Sequence, residues 1–261
     1  MRGPGLARFG RALVDLLLPE SGCVICGGPL PVAGGGASAA AGSTQRAAFA
    51  DAPSWEPEVC PACLHDIFAR GETGGLDGLT SPTARYLDGV VTAGAYGGVL
   101  EKAVLRLKNT PDRRLARFLA RLLSERLREG CLPGDWTAVV PVPLHRDRLR
   151  ERGFNQAAVL GRELASLLGT PAREDLCARV RPTPIQSGLS RQDRVRNLSG
   201  AFRLARGLAL PDAGEGRFLV VDDVLTTGAT AAELARTLKA GGVARQVWCA
   251  AVARATGRDT K

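Results

Sequence analysis

Aromatic side chains are scarce in this chain. Phe, Trp and Tyr make up 5% of its 261 residues, while hydrophobic residues as a group reach an ordinary 45%. A core must therefore be assembled from Leu, Val and Ala. The same scarcity argues against a surface that stacks single strands, because such surfaces interleave aromatics with basic residues. Lysine is rare too. Only four of the 35 basic residues are lysines, so arginine carries the formal charge of +9. That sign points to an anionic partner such as a nucleotide, polyphosphate or nucleic acid. Arginine is the better bidentate phosphate partner, although part of its excess, with so much Ala, Gly and Pro, reflects genomic composition.

Long apolar runs are missing as well. None approaches the ~18 residues of a membrane span. The N-terminal stretch MRGPGLARFGRALVDLLLP has the early arginines of a signal peptide. Arg11 and Asp15 interrupt its apolar part, however, and no clean small-residue cleavage site follows. Leu6, Phe9, Leu13, Leu16 and Leu17 recur at helical spacing and predict a short amphipathic helix. A soluble, cytoplasmic protein is expected. Its seven cysteines then read as metal ligands and free thiols rather than disulfides.

Four of those cysteines form two knuckles, Cys23-Val24-Ile25-Cys26 and Cys60-Pro61-Ala62-Cys63. Two such pairs can wrap a tetrahedral Zn²⁺ through four thiolates. Thirty-three residues separate the pairs. Most of them, about 31–57, are rich in Ala, Gly and Ser and predict a disordered insert. Loop-closure entropy grows only logarithmically with length, so the insert does not forbid the site. A closed four-thiolate set has no open position, and the zinc is expected to be structural. His65 stands close by, but the cysteines complete the set. Cys131, Cys177 and Cys249 read as inert thiols in apolar or helix-ending contexts.

The remainder alternates strand and helix. Strands are predicted at Gly89–Tyr96, Thr137–Pro143, Arg217–Val224 and Arg245–Arg254. Between them lie helical patterns. Asp112 is placed to cap one whose apolar face is Leu115, Phe118, Leu119 and Leu122 and whose stop is Gly130. Another runs from Phe154 to Gly169, with Asn155 able to cap, and a third follows Ala229. Apolar strands separated by helices predict a parallel sheet covered on both faces. Ligands then bind beyond the carboxyl ends of the strands.

One such end reads VVDDVLTTGAT, Val220 to Thr230. A Thr- and Gly-rich strand-to-helix turn presents N–H groups and hydroxyls to an anion. Thr226, Thr227, Gly228, Ala229 and Thr230 can surround one phosphate, with Gly228 free to take an unusual φ. Asp222 and Asp223 stand one sugar-length back and can accept hydrogen bonds from ribose hydroxyls. Upstream, Pro141-Val142-Pro143 ends a strand, and Arg146, Arg148, Arg150 and Arg152 crowd what is expected to be a loop.

VVDDVLTTGAT resembles the binding motif for phosphoribosyl diphosphate (PRPP) of type I phosphoribosyltransferases. Val139–Ala157, the paired C-x-x-C knuckles, LRLK ending at Lys108 and Thr183–Phe202 are together similar to the ComF (GntX-like, competence-type) family. The resemblance covers the chain except the insert. It implies an α/β, Rossmann-like parallel sheet with helices on both faces, the type I phosphoribosyltransferase fold, over 67–261. A small zinc-ribbon-like module over 1–66 precedes it. It further implies that Asp222 and Asp223 are catalytic and hold the ribose, and that Thr226 to Thr230 hold the 5′-phosphate. Arg146, Arg148 and Arg152 face the diphosphate, and Arg191 and Arg194, with Gln186, belong to a flexible loop that closes over PRPP. Mg²⁺ accompanies PRPP. Phosphoribosyl transfer to an unknown nitrogen acceptor, a non-catalytic PRPP or nucleotide sensor, and handling of single-stranded DNA with the competence machinery all follow from the resemblance. After Lys108 the family usually continues with an aromatic or basic residue and a glycine. Here Asn109-Thr110-Pro111 stands instead, so no substrate contact is assigned to Lys108.

Overall fold

A computed structural model of the chain describes residues 22–30, 58–69, 75–77, 79–130, 134–182, 198–205 and 214–255. The expected N-terminal helix, the insert over about 31–57, Cys131, Gln186, Arg191 and Arg194 lie outside the described residues. The chain divides into two compact units, Met1–His65 and Asp66–Lys261.

In the first unit, the knuckle at 23–26 is a tight turn. Cys23 N–H donates to Gly28 O at 2.8 Å, and Gly27 N–H donates back to Cys23 O at 2.8 Å. The second knuckle opens helix α1 (Pro61–Ala69), with proline at a first-turn position where its missing N–H costs nothing.

The second unit is built on a sheet whose strands are β1 (Gly89–Ala95), β2 (Ala138–Pro141), β5 (Gly216–Leu225) and β6 (Ala244–Arg254). Their order is β1-β6-β5-β2 and every pairing is parallel. Helix α2 (Gly98–Asn109) and helix α3 (Arg113–Glu129) follow β1. Asp112 caps α3 by accepting from Leu115 N–H at 3.1 Å, Gly130 ends it, and Leu115, Phe118, Leu119 and Leu122 are buried as expected. Helix α4 (Arg146–Arg152) and helix α5 (Gln156–Leu168) lie between β2 and the next strand. Asn155 caps α5, accepting from Ala157 N–H at 3.1 Å, and Gly169 closes it in the left-handed region. Helix α6 (Ala229–Ala240) joins β5 to β6.

Alternation along the strands sorts the core into two layers. A Cβ on Gly161 of α5 would come within 2.7 Å of Pro141 and 3.6 Å of Val139, so α5 lies tightly on that face of β2. The opposite residues, Ala138, Val140, Phe218 and Val220, cluster with Ala231, Leu234, Ala235 and Leu238 of α6. This is the expected α/β, Rossmann-like parallel sheet with helices on both faces, and Leu, Val and Ala fill its core.

Two elements differ from the expectation. The arginine segment after Pro143 is the helix α4, not a loop. His145 caps it by accepting from Asp147 N–H at 3.4 Å, and Gly153 ends it at φ 81°. An antiparallel ribbon of β3 (Cys177–Arg179) and β4 (Phe202–Leu204) was not expected. Its strands are three residues long, too short to show a period of two.

Candidate functional site

β5 carries the acid pair within the strand, because pairing with β6 continues through Asp222 and on to Leu225. Neighbouring residues of a strand face opposite sides, so the two carboxylates enter different surroundings. Asp223 is 6% exposed. Its Oδ1 accepts from Val224 N–H at 2.9 Å. Its Oδ2 meets the Lys108 ammonium at 3.1 Å and accepts from Gln156 Nε2 at 3.4 Å. Arg152 in turn donates to Gln156 Oε1 at 2.5 Å. Four side chains from α2, α4, α5 and β5 thus form one hydrogen-bonded chain.

Asp222 is only partly buried, and its Oδ1 accepts from Asp223 N–H at 2.9 Å. Desolvation, and after it the Asp223 charge, push the Asp222 carboxyl well above the usual carboxylate range, with Lys108 pulling the other way. On its side lies Arg179 of β3. Burial draws that guanidinium below its ordinary range, the Asp222 charge opposes the shift, and Arg148 adds to it. Arg179 also stands 5.7 Å over the Phe202 ring, its partner across the ribbon.

Beyond β5 the chain turns at Thr226, Thr227 and Gly228 into α6. Gly228 is the N-cap at φ 77°, a conformation that favours glycine. A Cβ there would meet Leu79 at 3.0 Å. Thr227 Oγ1 accepts from Ala229 N–H at 3.3 Å. The Thr227 carbonyl accepts from Thr80 N–H at 3.3 Å and Ser81 N–H at 3.2 Å. The segment 79–81 therefore pins the outside of the turn. N–H groups in the first turn of a helix have no partner within the helix and favour an anion. Ala229 is buried at that terminus and Thr230 half-buried.

The expected arginines separate by helical spacing. Arg146 and Arg150 have side chains 78% and 77% exposed, and both approach Asp147, at 3.8 and 3.7 Å. Arg148 and Arg152 occupy the other, half-buried side, where each interacts with the surroundings of one acid.

Sequence reasoning missed four residues here. Lys108, left without a contact because of the residues after it, is bound to Asp223. Gln156 lies in the Val139–Ala157 segment with no contact assigned to it, and Arg179 has no motif to mark it. Tyr96, at the end of β1, does carry a signal: it is one of two tyrosines and precedes Gly97-Gly98 at a strand-to-helix turn. Burial and the Glu101 charge push its phenol up, Lys108 opposes, and Asp223 adds to the rise, so Tyr96 feels the charges of the acid pair.

Within the first unit, the Sγ atoms of Cys23, Cys26, Cys60 and Cys63 all lie within 4.8 Å of one another, and those of Cys26 and Cys60 are 3.7 Å apart. Tetrahedral zinc with Zn–S near 2.3 Å sets its sulfurs roughly 3.8 Å apart, so the set fits and can hold a metal such as zinc. Burial would raise the Cys23 thiol, but N–H groups of Cys26, Cys60 and Ile25 outweigh it and bring the pKa to about 7. Burial and neighbouring thiols push Cys63 far up. Cys177 and Cys249 are raised by burial, Cys177 to about 12, as inert thiols should be.

The fold is that of an α/β protein whose parallel sheet carries the acid pair and the Gly228 turn toward the carboxyl end of β5. No protein-family model matches the chain. It is 37% identical over 168 residues to competence protein F of Haemophilus influenzae, a match covering 62% of this chain and 71% of that protein. It is 41% identical over 165 residues to the DNA utilization protein YhgH of Salmonella typhi, covering 61% and 70%. The YhgH protein of Escherichia coli K12 is 37% identical over 166 residues, covering 61% and 70%. The chain belongs to the ComF family. Among the described residues no helix is long and apolar enough to cross a membrane.

Proposed function

We propose that the carboxyl edge of β5 binds a phosphorylated ribose, PRPP or a ribose 5-phosphate nucleotide. The observation that carries this is the joint placement of the acid pair and the Gly228 turn. Asp222 lies three residues before the end of β5 at Leu225, and α6 begins at Ala229 after the turn at Thr226, Thr227 and Gly228. The acids take ribose hydroxyls, and Thr226 to Thr230 take the 5′-phosphate. Arg148 and Arg152, with Arg146 at the rim and Arg191 and Arg194 beyond the described residues, meet the diphosphate. Mg²⁺ arriving with the ligand would supply positive charge to the departing diphosphate. The chain's own part is to orient the sugar, to fix the phosphate and to surround C1 with preorganised charge, as an oxocarbenium-like transition state requires. Zinc in the four-cysteine cluster would hold the first unit together.

The relatives' names place one in competence and the others in DNA utilization. We assign this chain to the same process, DNA uptake and use in the cytoplasm, with PRPP or a nucleotide as its small ligand and transfer to a nitrogen acceptor as its reaction. Calorimetric titration with PRPP and Mg²⁺, followed by a screen of free bases for diphosphate release, tests this. Saturable binding with release on one base class is expected. Binding without release on any base makes the protein a sensor. Salt-sensitive binding of single-stranded DNA that competes with PRPP makes the site a DNA contact. Binding that survives joint Asp222→Asn and Asp223→Asn substitution removes the acid pair from the site.

A further inference from the structure

A cavity of about 390 Å³ follows the amino half of β1, from Asp88 just before the strand to Thr92 within it. Sites for small ligands span about 300–1,000 Å³. Leu76, the end of α3 at Arg126 and Glu129, and Trp248 of β6 form further parts of its wall. Trp248 is level with Leu219 of β5, on the amino side of Asp222. β6 stands between the cavity's strand and β5. The cavity is therefore a different place from the strand-end turn.

Three features limit what it can hold. Trp248 is one of three tryptophans in an aromatic-poor chain, yet it is only half-buried. Its register partner is Gly89, where any Cβ would collide with the benzo ring of Trp248. The glycine thus lets the indole lie over β1 as an apolar wall. Next, β1 is the outer strand in the order β1-β6-β5-β2. An outer strand carries N–H and C=O groups that meet no strand on one side. Gly75 N–H takes one of these carbonyls, Val90 O, at 2.9 Å. Finally, each charged residue of the wall has a partner of opposite sign. Arg126 meets Glu129 at 2.8 Å, and Asp88 meets Lys239 at 2.7 Å. A phosphate or an ammonium would leave water for a wall whose charges are already matched, which is unfavourable.

We infer that this cavity binds a neutral, planar nitrogen heterocycle of free-base or nucleoside size, stacked on Trp248 with its polar edge along β1. The indole takes the face of the ring. The strand edge takes the ring's donors and acceptors. The matched ion pairs select against a charged ligand. This second site stands independently of the phosphorylated-ribose assignment.

The test is calorimetric titration of the full chain, without PRPP, with adenine and with uracil. Cyclohexanol and inorganic phosphate serve as comparators. Saturable one-site binding of at least one base is expected, tighter than that of either comparator and unchanged in Asp222→Asn. Trp248→Leu should weaken it about tenfold or more, the worth of stacking one base. Nuclear Overhauser contacts from the bound base to the Trp248 indole, assigned by its loss in Trp248→Phe, are expected in the parent chain. That readout holds even if Trp248→Leu fails to fold. Absence of binding by both bases overturns the inference. So do a bound base without contact to Trp248, loss of its binding in Asp222→Asn, and equally tight binding of cyclohexanol or phosphate.

Discussion

The cysteine cluster and the acid pair present the same difficulty in two different units. Each crowds groups that repel when ionised. At the cysteines no cationic side chain belongs to the set. One thiol is drawn down to about 7 while a neighbour is driven far up. The four cannot ionise together until a metal supplies the charge. At the end of β5 the protein supplies it, through Lys108 on Asp223 at 3.1 Å. The first set can be balanced by a bound metal. The second is already balanced on one side and open on the other.

The sharpest break of that comparison is at the cysteines. Cys63→Ser is expected to abolish stoichiometric zinc and unfold the first unit, since structural zinc contributes about 10–16 kcal/mol in small zinc folds. Metal analysis and circular dichroism before and after chelation check this. Next is Gly228→Ala. It forces a Cβ to φ 77° and to within 3.0 Å of Leu79, at a cost of about 1–2 kcal/mol, and disturbs the turn expected to hold phosphate. Its melting temperature and PRPP affinity should fall together. Asp112→Ala removes the α3 cap and should cost about 1 kcal/mol with ligand affinity unchanged. Denaturant titration alongside calorimetry separates the two effects.

The smallest effect concerns pH. The Asp222 carboxyl is raised in the folded chain, so folding favours its protonated form. The stability it contributes is complete below the unfolded value near 3.9 and is lost as pH rises through the folded value. Asp222→Asn should therefore raise the melting temperature of the ligand-free protein at pH 8 and change it little at pH 4. Each kcal/mol gained corresponds to roughly 2–4 °C in a domain of this size. Unfolding scans of both proteins across that range decide it.

Much of this was legible in the sequence because strong local signals agreed. The caps Asp112 and Asn155, the stops Gly130 and Gly169, and the continuous apolar strands mark helices and buried strands unambiguously. The acid pair and the Thr-Thr-Gly turn occur in chain order, so their meeting needs no long-range information. Lys108, Gln156 and Arg179 could not be read in the same way. Lys108 and Asp223 stand on α2 and β5, far apart in the chain, and their 3.1 Å ion pair is a tertiary event with no sequence period. Arg179 arrives on a three-residue strand that has no pattern of its own. Pro143, ending a strand, points to a loop for the arginine segment. The His145 cap and the Gly153 stop, both visible in the sequence, make it a helix and give two pairs of arginines opposite fates.

Ribose 5-phosphate carries the two groups assigned to the acid pair and to the Gly228 turn, and little else. Its calorimetric titration into the full chain is the most direct test of the site. One-site binding is expected, lost on Asp222→Asn and weakened by Gly228→Ala. No binding to the parent chain, or binding that Asp222→Asn leaves intact, would contradict it.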